Sequence, residues 1–281
     1  MKNFFAKIYV LFVASVFAVG SAYGQDKGSL FIIGGGDRSP ALVKDLVETA
    51  HLRPNDYIVV LPMATSIPEE SVAYISGQLS EFSQHVITSF NFTKEQANNS
   101  QSWIDSVQNA RLIYITGGDQ NKFMDVVQGT KLYDALHLAY RKGATISGTS
   151  AGAAVMSQLM ITGEQHQKKD GDSFREVKSK NAVTAQGMGF LTNAIIDQHF
   201  IIRSRYNRLL SVLVDHPDKT LIGIDEGTAI VVTGKKVRVT GDSQVIVVSA
   251  PKKVQVSDTD TVSFKDANLS LYSHGQNFKL K

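Results

Sequence analysis

The sequence predicts an α/β fold: a mostly parallel sheet with helices on both faces, completed by antiparallel strands near the C-terminus. Three observations carry this. Short apolar runs recur along the first half of the chain, segments with helical spacing separate them, and glycines cluster where the runs end. A run that is apolar at every position is covered on both faces, as strands of a parallel sheet are.

The elements follow in order. Ser29-Leu30-Phe31-Ile32-Ile33 is a buried strand leading into Gly34-Gly35-Gly36. Pro40 to His51 places Leu42, Val43, Leu46 and Val47 on one helical face. Tyr57 to Pro62 is a second strand, Glu69 to Phe82 a helix, and His85 to Phe90 a third strand. Asn98 to Asn109 is helical, and Leu112 to Thr116 forms a fourth strand ending in Gly117-Gly118-Asp119-Gln120. Strands and helices alternating in this way argue for parallel pairing. Beyond Gly163, the stretch Glu164 to Lys180 is polar and reads as a surface loop. Ala194 to Asp197 is a short apolar strand, followed by a helix from Ile201. Leu221 to Val232 is read as one strand carrying the acidic pair Asp225-Glu226, and alternating segments from Lys235 to Leu280 are the antiparallel strands closing one edge.

The N-terminus has a different character. Lys2 and Lys7 flank the start of an apolar stretch, Ile8 to Val19, followed by Gly20-Ser21-Ala22-Tyr23-Gly24. A basic start, an apolar run of about a dozen residues and a small-x-small site describe a secretory signal peptide over residues 1–24, cleaved before Gln25. The remaining 25–281 is expected to be one domain, exported to the periplasm or beyond, with no membrane anchor after cleavage. The chain is 43% apolar and 20% charged, ordinary values for a globular protein. Lys2 and Lys7 supply two of the three units of net charge, +3, so the mature balance is +1 and gives no ground for a nucleic-acid partner. The chain contains no cysteine, which excludes disulfides, thiolate metal sites and a cysteine nucleophile.

The sequence is organised around Thr145-Ile146-Ser147-Gly148-Thr149-Ser150-Ala151-Gly152-Ala153-Ala154. Strand, tight turn and helix surround a Gly-x-Ser-x-Gly motif, the context of a nucleophile elbow, and Ser150 projects from it. A serine hydroxyl needs a base, and the base needs an orienting acid. Of seven histidines, His199 sits at a strand end where polar groups converge. For the acid, Glu164, Asp197, Asp225 and Glu226 come into question; the end of a strand places Asp225 and Glu226 more rigidly than a loop places Glu164, and the pattern does not separate the two. The Gly117-Gly118 loop could aim a backbone N–H at an oxyanion, with the N–H of Ala151 as second donor.

Gly117-Gly118-Asp119-Gln120, the elbow through Met156, Asp197-Gln198-His199-Phe200 and Gly223-Ile224-Asp225-Glu226-Gly227-Thr228-Ala229 together resemble the cyanophycinase family. These are serine exopeptidases grouped with aspartyl dipeptidase, on a fold related to class I glutamine amidotransferases. The resemblance runs from about Ser29 to Val248. It implies Ser150 as nucleophile, His199 as general base and Glu226 as orienting acid, with Gly118 and Ala151 as the oxyanion hole. It implies a substrate pocket of Gln120, Asp197, Gln198, Arg203, Arg205 and Arg208, in which Asp197 meets a substrate guanidinium. The implied substrate is cyanophycin, a poly-aspartate carrying arginine on each side-chain carboxyl and released as β-aspartyl-arginine; no cofactor and no metal are implied. Family members often pair, so a homodimer is implied as well, with no interface legible in the chain. The rival expectations are an aspartyl or isoaspartyl dipeptidase acting on β-aspartyl peptides and a silent binding protein on the same scaffold. The arginines are spaced i, i+2, i+5, which one face of a regular helix cannot collect, so the segment after His199 must begin irregularly.

Overall fold

The computed structural model describes residues 28–166 and 174–280. The signal peptide predicted over 1–24 and the centre of the polar stretch 164–180 lie outside the described residues. The first half alternates β1 (Leu30–Ile33), α1 (Pro40–Ala50), β2 (Tyr57–Leu61), α2 (Pro68–Ser80) and β3 (Val86–Ser89). It continues with α3 (Gln96–Asn99), α4 (Gln101–Asn109), β4 (Leu112–Ile115), α5 (Gln120–Val127), α6 (Lys131–Arg141), β5 (Thr145–Thr149) and the single turn α7 (Ala151–Ala154). The second half holds β6 (Leu159–Gln165), β7 (Ala182–Gln186), β8 (Ala194–Asp197), α8 (Tyr206–Asp215), β9 (Thr220–Ile224) and β10 (Thr228–Thr233). It ends with β11 (Lys236–Gly241), β12 (Gln244–Ser249), β13 (Lys252–Val256), β14 (Val262–Lys265), β15 (Asn268–Ser273) and β16 (Asn277–Lys279).

Eight strands form the main sheet in the order β16-β11-β10-β1-β5-β4-β2-β3. From β1 to β3 every pairing is parallel; β10, β11 and β16 add antiparallel strands at the other edge. This is the predicted mixed sheet with helices on both faces. Side-chain alternation sorts the two faces. Phe31, Ile33, Ile58 and Val60 pack with Leu42 and Leu46 of α1 and Ile75 and Leu79 of α2. Ile32, Val59, Ile113 and Ile146 pack with α4, α5 and α6 through Ile104, Phe123 and Leu136. Fully burying each such side chain contributes about 1.5–3 kcal/mol. The helices start where the backbone chemistry says they should: Pro40 opens α1, where a missing N–H costs nothing, and the Thr130 side chain accepts from the Tyr133 N–H at the start of α6.

Three features depart from the sequence reading. The Leu221–Val232 run is two strands in different sheets. β9 lies in a four-stranded sheet of order β15-β12-β9-β8, β10 lies in the main sheet, and Asp225-Glu226-Gly227 is the crossing between them. The break was hidden because both flanking segments are buried and apolar. Glu164 and Gln165 belong to β6, which pairs antiparallel with β7, so the polar stretch begins as a strand. The elbow helix α7 is one turn only, since the chain must turn at once into β6. The second sheet packs one face on the main core through Ile196, Ile222, Ile224 and Val245. Its other face is covered by Leu209, Val212 and Leu213 of α8.

Candidate active site

The site forms at the C-terminal ends of the parallel strands, where the two sheets meet. Ser150 sits between β5 and α7 with φ 54° and ψ −109°, a conformation that costs an L-residue energy and is held only when its surroundings impose it. The imposition is visible. The Ser150 N–H donates to the Ile33 carbonyl of β1 at 3.1 Å. Gly148 lies so close to Gly152 that a Cβ there would stand 2.2 Å from the Gly152 carbonyl oxygen. Only glycine lets strand and turn meet at this distance.

His199 follows β8 by two residues and also adopts a positive φ, 48°. Its N–H donates to the Gly34 carbonyl at 2.7 Å, tying the second sheet to the loop after β1. Its Nε2 lies 2.8 Å from the Ser150 Oγ, and its Nδ1 bonds to the Glu226 Oε1. The structure therefore separates the acidic pair that sequence left open. Glu226 meets the imidazole, whereas the buried Asp225 accepts from the Ile201 and Ile202 N–H groups and from the Ser243 hydroxyl. Asp225 thus pins the turn that follows His199. Burial is the chief influence on His199 and pushes its pKa below the ordinary histidine value; the Glu226 hydrogen bond opposes this, and the positive charge of Arg203 adds to it.

The sequence shows the glycines after β1 only as a loop at the end of a buried strand, yet they are the bed of the imidazole. Gly35 has φ 116°, and a Cβ there would fall 2.3 Å from His199 Cε1. Its signal was present: three glycines at the C-terminal end of the strand beside β5, where sheets of this kind place their sites.

In front of Ser150 lies a cleft of about 1010 Å³. Gly118, Gln120, Gln198, Arg203, Arg205 and Arg208 are among the residues that line it. Among the described residues neither the Gly118 N–H nor the Ala151 N–H donates to a protein backbone acceptor. Gln120 is buried and its amide donates to the Ile161 and Thr162 carbonyls, joining α5 to β6. The arginine segment begins irregularly, as its spacing required: Arg203 and Arg205 precede α8 and Arg208 lies within it.

Asp197 is a correction. Its side chain is 0% exposed and does not line the cleft. Its carboxylate is taken by the protein's own Arg208, through Nε at 3.0 Å and through Nη2, with Arg205 Nη1 at 3.7 Å. A buried carboxylate needs a cation within reach, and these arginines supply it, so Asp197 cannot receive a substrate guanidinium. Arg205 also donates to the Gln198 backbone and side-chain oxygens. Burial first, and Arg208 second, bring the Arg205 pKa down to about 10, which leaves it charged at neutral pH.

Residues 30–240 match peptidase family S51. The chain belongs to that family. This is the cyanophycinase family, the resemblance read from the motifs. The chain is 33% identical over 182 residues to a cyanophycinase of Geminocystis herdmanii, covering 62% of this chain and 64% of that protein. It is 28% identical over 235 residues to a cyanophycinase of Trichormus variabilis, covering 80% of this chain and 75% of that one. In fold it is similar to the crystal structure of a peptidase from an acI-B1 Actinobacterium, with a TM-score of 0.69 at 23% identity, over 92% of this chain and 98% of the other.

Gly35→Ala tests the bed beneath the imidazole. The added methyl would displace the ring from Ser150, lowering kcat on a peptide substrate by about 100-fold or more, because displacements near 1 Å cost that much. Circular dichroism should show the fold retained.

Proposed function

We propose that this chain is an exported serine exopeptidase that hydrolyses cyanophycin to β-aspartyl-arginine through an acyl-enzyme. The observation that carries the reading is the unbroken hydrogen-bonded row Ser150–His199–Glu226 beside an arginine-lined cleft. In this reading His199 Nε2 takes the proton as Ser150 Oγ attacks the scissile carbonyl. Glu226 holds the Nδ1–H tautomer and steadies the imidazolium that forms. The Gly118 and Ala151 N–H groups receive the oxyanion. Collapse breaks the C–N bond, and His199 returns the proton to the departing amine. Water, deprotonated by the same imidazole, then attacks the ester and frees Ser150. The steps call on no metal or organic cofactor.

Arg203, more than half exposed on the cleft wall, and Arg205 beside it would take up substrate carboxylates through paired N–H donors. Asp197 keeps its place here as the group that holds Arg205 and Arg208 in position. Export rests on the basic start, the apolar run and the small residues before Gln25.

Digestion of insoluble cyanophycin by the mature chain, followed by mass spectrometry, should release β-aspartyl-arginine. Ser150→Ala should lower kcat by about 10⁴-fold or more with the fold intact; undiminished turnover in that variant would sink the mechanism. The pH dependence has a definite sign. The base must be neutral, and burial favours the neutral ring, so the acid limb of kcat/KM should fall below the ordinary histidine value of 6.5. A limb well above it would contradict the buried imidazole. Expressed with its leader, the exported product should begin at Gln25 on N-terminal sequencing.

A further inference from the structure

The cleft is lined by charges of both signs: Arg203, Arg205 and Arg208, together with Asp119 at the head of α5 and Glu164 near the end of β6. The two carboxylates are not equivalent. Asp119 accepts from the Asn121 N–H at 2.8 Å and caps α5, so it has an internal duty. Glu164 is exposed in the cleft, and its carboxylate has no hydrogen-bond or ion-pair partner among the described residues.

Its backbone, by contrast, is well held. The Glu164 N–H donates to the Thr162 Oγ1 at 3.2 Å, and that hydroxyl donates to the Val183 carbonyl of β7 at 3.1 Å. Gln120 grips the Ile161 and Thr162 carbonyls just before it. A fixed backbone presenting a free carboxylate into a substrate cleft costs little while water solvates it. It repels a second anion at that spot and pairs with a cation, and a guanidinium can bridge both oxygens.

We infer that Glu164 is a specificity-determining residue, receiving a cationic group of the substrate while the arginines of the same cleft receive its carboxylates. The proposed substrate supplies both kinds of group, since cyanophycin carries carboxylates and guanidinium groups together. The assignment rests on the peptidase reading above. It also gives the guanidinium a partner, which buried Asp197 cannot be.

The test compares two soluble β-aspartyl oligomers, one bearing arginine and one bearing citrulline, which has the same shape without the charge. The readout is the ratio of their kcat/KM values, because a general disturbance of the site cancels in it. In the wild-type enzyme the ratio should favour arginine by roughly tenfold or more, the scale of a hydrogen bond to a charged group. In Glu164→Gln it should fall towards one, and Glu164→Asp should recover part of it. A ratio that survives in Glu164→Gln, or a collapse seen only in Asp119→Asn, would overturn the assignment. Wild-type enzyme that cleaves neither oligomer would instead overturn the peptidase reading itself, and this inference with it.

Discussion

The hydrogen bond from the His199 N–H to the Gly34 carbonyl joins two sheets, and the site depends on that seam. Ser150 is delivered by the main sheet, His199 by the end of β8 in the second sheet, and Glu226 by the loop that passes from one to the other. No single element contains two of the three groups. Their mutual distances are therefore set by how the sheets dock, through the shared apolar contacts of Ile196, Ile222 and Ile224 with Ile230 and Val232. A close-packed core of this kind transmits small shifts instead of absorbing them. This explains why supports such as Asp225, whose carboxylate bonds to the Ile201 and Ile202 N–H groups and the Ser243 hydroxyl, sit so near the seam.

Much of this was legible in the sequence, and the reasons are physical. Continuous apolar runs marked β1, β2 and β4 because both their faces are covered. The elbow was legible because only small residues allow a strand to turn at once against a helix. The second sheet was not foreseen as such. Leu221 to Ile224 and Thr228 to Val232 are both buried and separated by three residues only, so periodicity alone hid the crossing. The residue pattern alone did not separate Asp225 from Glu226, because adjacent residues of one charge differ only in the direction their side chains take; only the family resemblance pointed to Glu226. Asp197 illustrates the opposite error. A motif names a residue type at a position, and whether it faces the cleft or its supporting arginines is decided by packing.

The charges near the cleft form a hierarchy of burial. Asp197 and Arg208 are withdrawn from solvent and hold each other in place. Arg205 is partly withdrawn, and Arg203 and Glu164 stand at the surface. The buried pair contributes little net stability, since desolvating both ions offsets most of their attraction, but it fixes the direction of the side chains around it. The exposed members are left free to meet a substrate. A buried ionic base beneath exposed charged tips lets one cleft be both ordered and receptive.

The division of the three groups between two sheets also bears on how the chain comes to life. Ser150 and His199 are 49 positions apart, and His199 and Glu226 are 27 apart. The strands from β1 to β5 can pair among themselves before any of the second sheet exists, since their contacts lie within the first half of the chain. Closing the longer loops has an entropic cost that only the docked sheets repay. An intermediate with the parallel half formed already carries its serine, but has neither the imidazole nor the carboxylate beside it. In the proposed reading, hydrolytic competence therefore arrives only with the completed fold, because a half-folded chain carries one of the three groups.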